Sequence, residues 1–126
     1  MKLEEGFTRH SLAAMGAEAC ALLCKGDIAT LVERYGYAFA RGVAPESAIR
    51  EDLARSLAGI GATALGAAPP VSECIVELFA PNGSKLIGDV TCAVPTDNGS
   101  VVFVDLIVAQ DQAEYYIMLE EIRAGA

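Results

Sequence analysis

From Val71 to Arg123 the chain runs as four short alternating segments, separated by Pro81-Asn82-Gly83, Asp97-Asn98-Gly99 and Gln110-Asp111-Gln112. Alternation of apolar and polar residues with a period of two marks half-buried strands, and Asn-Gly pairs between such runs mark tight hairpins. Successive strands joined by connections this short pair antiparallel, because a parallel pair needs a crossover of a dozen residues or more. The second half is therefore predicted to be a four-stranded antiparallel meander.

The first half has a different period. Leu12, Met15, Ala19, Leu22 and Leu23 form a helical stripe, which Ser11 is placed to cap and Lys25-Gly26 to stop. Asp27 then caps a second helix carrying Ile28, Leu31, Val32, Tyr35 and Phe39 on one face, with Gly36 as a point of bending or ending. Pro45, a favoured first helical residue, opens a third helix with Ile49, Leu53, Leu57 and Ile60 inward, and Arg50, Glu51, Asp52 and Arg55 toward water. Residues 1–9 are polar and are expected to fray. Residues 61–70 are small and apolar, and suit a crossing from the helices to the sheet. The expected fold class is thus α+β: three N-terminal helices packed on one face of a curved four-stranded antiparallel meander, cone-like, in a single domain over residues 1–126.

Loop parity assigns the two faces of the sheet. With three-residue loops at Pro81-Asn82-Gly83 and Asp97-Asn98-Gly99, one face collects Cys74, Val76, Leu78, Leu86, Gly88, Val90, Cys92, Val94, Val102, Val104, Leu106 and Val108. Every member is apolar or glycine, so this face is predicted to meet the helices. A slip of one residue would mix charges into it. On the last strand Tyr115, Ile117 and Leu119 are placed inward, leaving Tyr116, Met118, Glu120 and Ile122 outward.

The other face holds Glu73, Ile75, Glu77, Phe79, Lys85, Ile87, Asp89, Thr91, Phe103, Asp105 and Ile107. Glu73, Thr91 and Asp105 are expected to form one cross-strand row, and Ile75, Asp89 and Ile107 the next. Large apolar side chains mixed with single carboxylates fit a partly covered surface better than a plain solvated one. Glu73, Ile75, Asp89, Thr91, Phe103, Asp105 and Ile107 are therefore the candidate interface residues. Tyr35, Phe39 and Tyr115 are candidates for the rim of an internal pocket.

Composition narrows the classes of function. Nine Lys and Arg against 17 Asp and Glu give a net charge of −8, which disfavours nucleic-acid phosphates and anionic lipid as partners. No apolar run reaches the ~20 residues of a membrane span, and Met1-Lys2-Leu3-Glu4-Glu5 does not open a secretory leader, so a cytoplasmic location is expected. Cys20 and Cys24 lie one helical turn apart, but no histidine or second cysteine pair completes a tetrahedral metal set, and the four cysteines read as reduced thiols without metal or other cofactor.

The order of elements resembles the nuclear-transport-factor-2-like superfamily, the α+β cone of SnoaL-type and ketosteroid-isomerase-like proteins, also described as cystatin-like. The resemblance rests on Leu22-Leu23-Cys24-Lys25-Gly26-Asp27-Ile28-Ala29-Thr30-Leu31-Val32 for the break between the first helices, Ser47-Ala48-Ile49-Arg50-Glu51-Asp52-Leu53 for the third helix, and Tyr116–Arg123 for the closing strand. It implies a helix-lined pocket on one side of the sheet and a dimer surface on the other. Members usually place a strand or hairpin between the second and third helices, where this chain has only residues 36–44. The isomerases' tyrosine-plus-acid set has no counterpart residue by residue, and no catalytic role carries over.

Catalytic motifs are otherwise wanting. His10 is the single histidine, no phosphate-binding glycine loop ends in Lys-Ser/Thr, and no serine sits in a nucleophile elbow. Asp89 and Asp105, on neighbouring strands, are the one suggestive carboxylate pair. The expected function is a non-catalytic binding domain that homodimerises or engages a protein partner through the outer sheet face. Two alternatives stand beside it: a pocket for a small apolar ligand, with or without cofactor-independent catalysis, and an acidic inhibitor or immunity-type protein that masks a basic surface.

Overall fold

The computed structural model describes residues 1–40 and 42–125. Helix α1 (Arg9–Lys25), α2 (Ile28–Tyr35) and α3 (Pro45–Gly59) precede strands β1 (Ile75–Leu78), β2 (Leu86–Pro95), β3 (Val101–Asp111) and β4 (Glu114–Ala124). The strands form one open antiparallel sheet in the order β1-β2-β3-β4. This is the expected α+β arrangement of helices on a four-stranded meander.

Local chemistry accounts for the helix ends. Thr8, rather than Ser11, caps α1: its hydroxyl accepts from the Ser11 amide, and the Ser11 hydroxyl accepts from the Thr8 amide. Ser11 is thus the second member of a capping box, three residues inside the cap. Gly26 ends α1 in the left-handed region at φ 75°, and Asp27 caps α2 through the Thr30 amide. The second helix stops at Gly36, whose amide donates to Val32. Phe39 therefore leaves the α2 stripe and lies in a short 3-10 turn, Ala38–Ala40.

The helices cover one side of the sheet. Leu12, Ala19, Cys20, Leu23, Ile28, Leu31, Tyr35 and Ile49 are buried with Val90, Cys92, Val94, Val102, Val104, Leu106, Val108, Ile117 and Leu119. Gly16 lets α1 lie directly on β2: a Cβ there would stand 2.8 Å from both Cys92 Sγ and Val90 Cγ1. Asp52, expected in water, turns partly inward and accepts from the Tyr37 hydroxyl at 2.6 Å. The same hydroxyl accepts from the Ile122 amide at 3.3 Å, and the Ser56 hydroxyl donates to the Ile122 carbonyl at 3.5 Å. Side chains thereby satisfy both backbone groups of one residue on the free edge of β4.

The N-terminus occupies another stretch of that edge, along residues 115–117. Met1 exchanges hydrogen bonds with Ile117, the Leu3 amide donates to the Tyr115 carbonyl, and Leu3 is buried. Met1–Leu3 of the lead-in expected to fray are thus docked, because the unpaired edge of β4 offers hydrogen bonds and a slot for Leu3. The connection 60–66 is tied to the β2–β3 turn by Thr63–Asp97, Asn98–Ile60 and Gly66–Pro95 hydrogen bonds.

Register matches the expectation between β2 and β3, where Thr91 opposes Asp105 and Gly99 adopts φ 85° in a three-residue turn. Elsewhere three corrections apply. The β1–β2 connection is longer than three residues, so Ile75, not Glu73, opposes Thr91, and Glu73 falls in a 3-10 turn before β1. A shift of two residues preserves the faces while changing the rows. A register shift between Leu86 and Gly88 puts Leu86 opposite Ala109 and leaves Leu86 exposed, with Ile87 packed on the core instead of facing outward. On β4, Leu119 opposes Leu106 and Glu121 opposes Asp105, so Glu120 is the extra residue of a bulge. Beyond it parity reverses: Ile122 is buried opposite Val104, and Arg123 reaches the outer face opposite Phe103.

Candidate functional site

The outer face of the sheet is built from three rows. Ile75, Thr91, Asp105 and Glu121 form one, Glu77, Asp89, Ile107 and Met118 the next, and Ala93, Phe103 and Arg123 a third. Six of the seven candidate interface residues share this surface, and Glu73 sits in the turn before its first strand. Arg123, Glu121, Glu120, Glu77 and Met118 complete the face but were not among those seven. The run Leu119-Glu120-Glu121-Ile122 carries the missed signal, since apolar residues three apart on a strand reach one face only through a bulge.

Asp105 is the buried member of the face, 8% exposed. Its two oxygens accept from Arg123 Nε at 2.6 Å and Nη2 at 3.3 Å. The same guanidinium stacks 4.5 Å from the centre of the Phe103 ring. One cation is thus committed on two sides, to a carboxylate and to an aromatic face.

The remaining carboxylates of these rows are not so matched. Asp89 and Glu120 have neither a hydrogen bond nor an ion pair among the described residues. Burial, then Glu77 and Asp105, raise the Asp89 pKa above its ordinary value. Burial, then Asp105, Glu121 and Asp89, do the same for Glu120 despite the opposing pull of Arg123. Among the described residues the strip Glu77, Asp89, Asp105, Glu120 and Glu121 therefore outnumbers the Arg123 guanidinium set against it. Exposed apolar side chains flank the strip: Ile75 is 68% and Met118 40% exposed.

The candidate pocket residues have separate neighbours. Tyr35 is buried and donates to Glu18 Oε1 at 2.8 Å. Tyr115 packs edge-on to Phe7 with ring centres 5.2 Å apart, beside an open cleft that also touches Leu78, Phe79 and Ile87. Phe39 packs against the core from its turn between α2 and α3. His10 and Arg9 border another open cleft, of about 610 Å³, with Pro70, Val71 and Cys74.

Cys20, Cys74 and Cys92 are buried free thiols and Cys24 is half-buried. Burial first, then its neighbour Cys92, push the Cys74 thiol up to about 12, far from a reactive thiolate. Among the described residues no group of three His, Cys, Asp or Glu side chains is arranged to hold a metal ion, and no helix is long and apolar enough to cross a membrane. No family model, curated protein or solved structure matches the chain.

Proposed function

We propose that this chain is a non-catalytic interaction domain that associates through the outer face of its sheet, either with a second copy or with a protein partner. The observation that carries the reading is the pair Asp89 and Glu120, held half-buried beside other carboxylates with no hydrogen bond or ion pair among the described residues. Such groups lower the stability of the isolated fold, and packing does not require them. Their position among Ile75, Ile107, Phe103 and Met118 gives a mixed apolar and acidic surface of the kind that partners cover.

The pocket alternative has less behind it. The space between helices and sheet is occupied by valine, leucine and isoleucine side chains at or near zero exposure. The proposal retains the nuclear-transport-factor-2-like resemblance as a relationship of architecture, supported by three helices on an antiparallel meander. The segment between α2 and α3 departs from that pattern, holding a 3-10 turn where a strand or hairpin is usual. A cytoplasmic location is part of the proposal and fits four unpaired cysteines.

Photo-crosslinking tests the assignment of the face. A photoreactive amino acid replaces Ile75 or Met118 on the outer face, or Glu51 on the exposed side of α3, in the protein expressed in its own cells. Adducts from Ile75 and Met118 but not from Glu51 are expected. Adducts from Glu51 alone, or none from the outer face, would contradict the reading.

A further inference from the structure

We infer that the occupant of the outer sheet face is a basic polypeptide segment whose arginine or lysine side chains meet Asp89 and Glu120 while its apolar side chains lie on Ile75, Ile107 and Met118. This rests on the reading of that face as the interaction surface and goes further by naming the chemistry of what covers it.

Charge complementarity decides between the possible occupants. A second copy laid face to face would bring a second set of Glu77, Asp89, Asp105, Glu120 and Glu121 against the first. Among the described residues each copy offers Arg123 in return, already held by Asp105 and Phe103. Like charges brought together in a drying interface are strongly unfavourable. Nucleic acid and anionic lipid are disfavoured by the same sign of charge. A cationic segment instead gains charge-assisted hydrogen bonds to two acceptors that have no partner among the described residues.

Geometry fits a polypeptide better than a lone cation. Asp89 and Glu120 lie on β2 and β4, with β3 between them. Two acids on separate strands, with exposed apolar side chains beside them, suit a segment that carries more than one basic side chain. Ile107, between them on β3, opposes Asp89 on one side and Met118 on the other. One row of the face therefore sets the acids Glu77 and Asp89 beside the apolar Ile107 and Met118, and the next sets Ile75 apart from Asp105 and Glu121. A segment that carries both basic and apolar side chains matches such a surface.

The test is an NMR titration of the isotope-labelled chain with a synthetic peptide in which arginine alternates with leucine, compared with a peptide bearing glutamate for arginine. The arginine peptide should shift amides of Ile75, Asp89, Ile107, Met118 and Glu120, and the glutamate peptide should not. The double variant Asp89→Asn, Glu120→Gln should bind the arginine peptide at least about tenfold more weakly while keeping its folded spectrum. Equal affinity of the double variant would overturn the inference, as would shifts confined to other surfaces. Concentration-dependent shifts of the same face without peptide, and none on adding it, would overturn the basic partner yet leave the face as the interaction surface. Failure of the face itself is reported separately by the crosslinks from Ile75 and Met118.

Discussion

Arg123 closes on Asp105 through Nε at 2.6 Å and Nη2 at 3.3 Å, on the face of the sheet that the helices leave uncovered. The carboxylate is almost fully buried and the guanidinium about half exposed. Replacing Arg123 with methionine leaves the Asp105 charge without its cation among Asp89, Glu120 and Glu121. Urea unfolding at neutral pH should show a loss of about 1–3 kcal/mol. The further change Asp105→Asn should restore part of it, so that the double variant loses less than the sum of the single ones.

Asp89 and Glu120 make a prediction of opposite sign. Burial and like-charged neighbours raise both folded pKa values. The native state therefore holds more protons than the unfolded chain between the ordinary carboxylate range, near pH 4, and the raised values. Stability falls as pH rises through that window, and the penalty is fully present above it. Asp89→Asn and Glu120→Gln should each stabilise the protein at pH 7 by about 0.5 kcal/mol, with no gain at pH 3. A stabilised variant that binds more weakly would be the expected signature of charges kept for binding.

Gly16 reverses the usual effect of a helical glycine. In an exposed helix, Gly→Ala stabilises by about 1 kcal/mol. Here the added Cβ would stand 2.8 Å from Cys92 Sγ and from Val90 Cγ1. Forcing α1 away from β2 should cost about 1–3 kcal/mol, read as a lowered midpoint of thermal or urea unfolding.

Tyr37 joins α3 to the edge of β4 through one hydroxyl. Tyr37→Phe removes the 2.6 Å bond to Asp52 and leaves the Ile122 amide without an acceptor. A destabilisation of about 1–2 kcal/mol is expected, with amide exchange at Ile122 accelerated more than at Val104 on the neighbouring strand.

How far the sequence disclosed this surface follows from its turns. Asp97-Asn98-Gly99 defines a three-residue loop, so the β2–β3 register and the pairing of Thr91 with Asp105 are readable from the chain alone. The β1–β2 connection is longer because the Asn82 side chain organises it, accepting from the Ser84 amide and hydroxyl. Side-chain control of a turn leaves the loop length open, and Glu73 is displaced from its expected row. The bulge at Glu120 does more, since it reverses parity, brings Arg123 to the outer face and buries Ile122. Strict alternation cannot anticipate a residue that opposes nothing. The docking of Leu3 was equally hidden: a polar N-terminus contains no sign that β4 ends the sheet with a free edge.

The most direct measurement is the affinity of the fluorescently labelled arginine–leucine peptide, followed by anisotropy as ionic strength rises, for the native chain and for Asp89→Asn, Glu120→Gln. The account predicts steep weakening with salt for the native chain, with affinity at low salt at least about tenfold lower and a flatter salt dependence in the double variant. Equal affinities and equal salt dependence for the two proteins would contradict it.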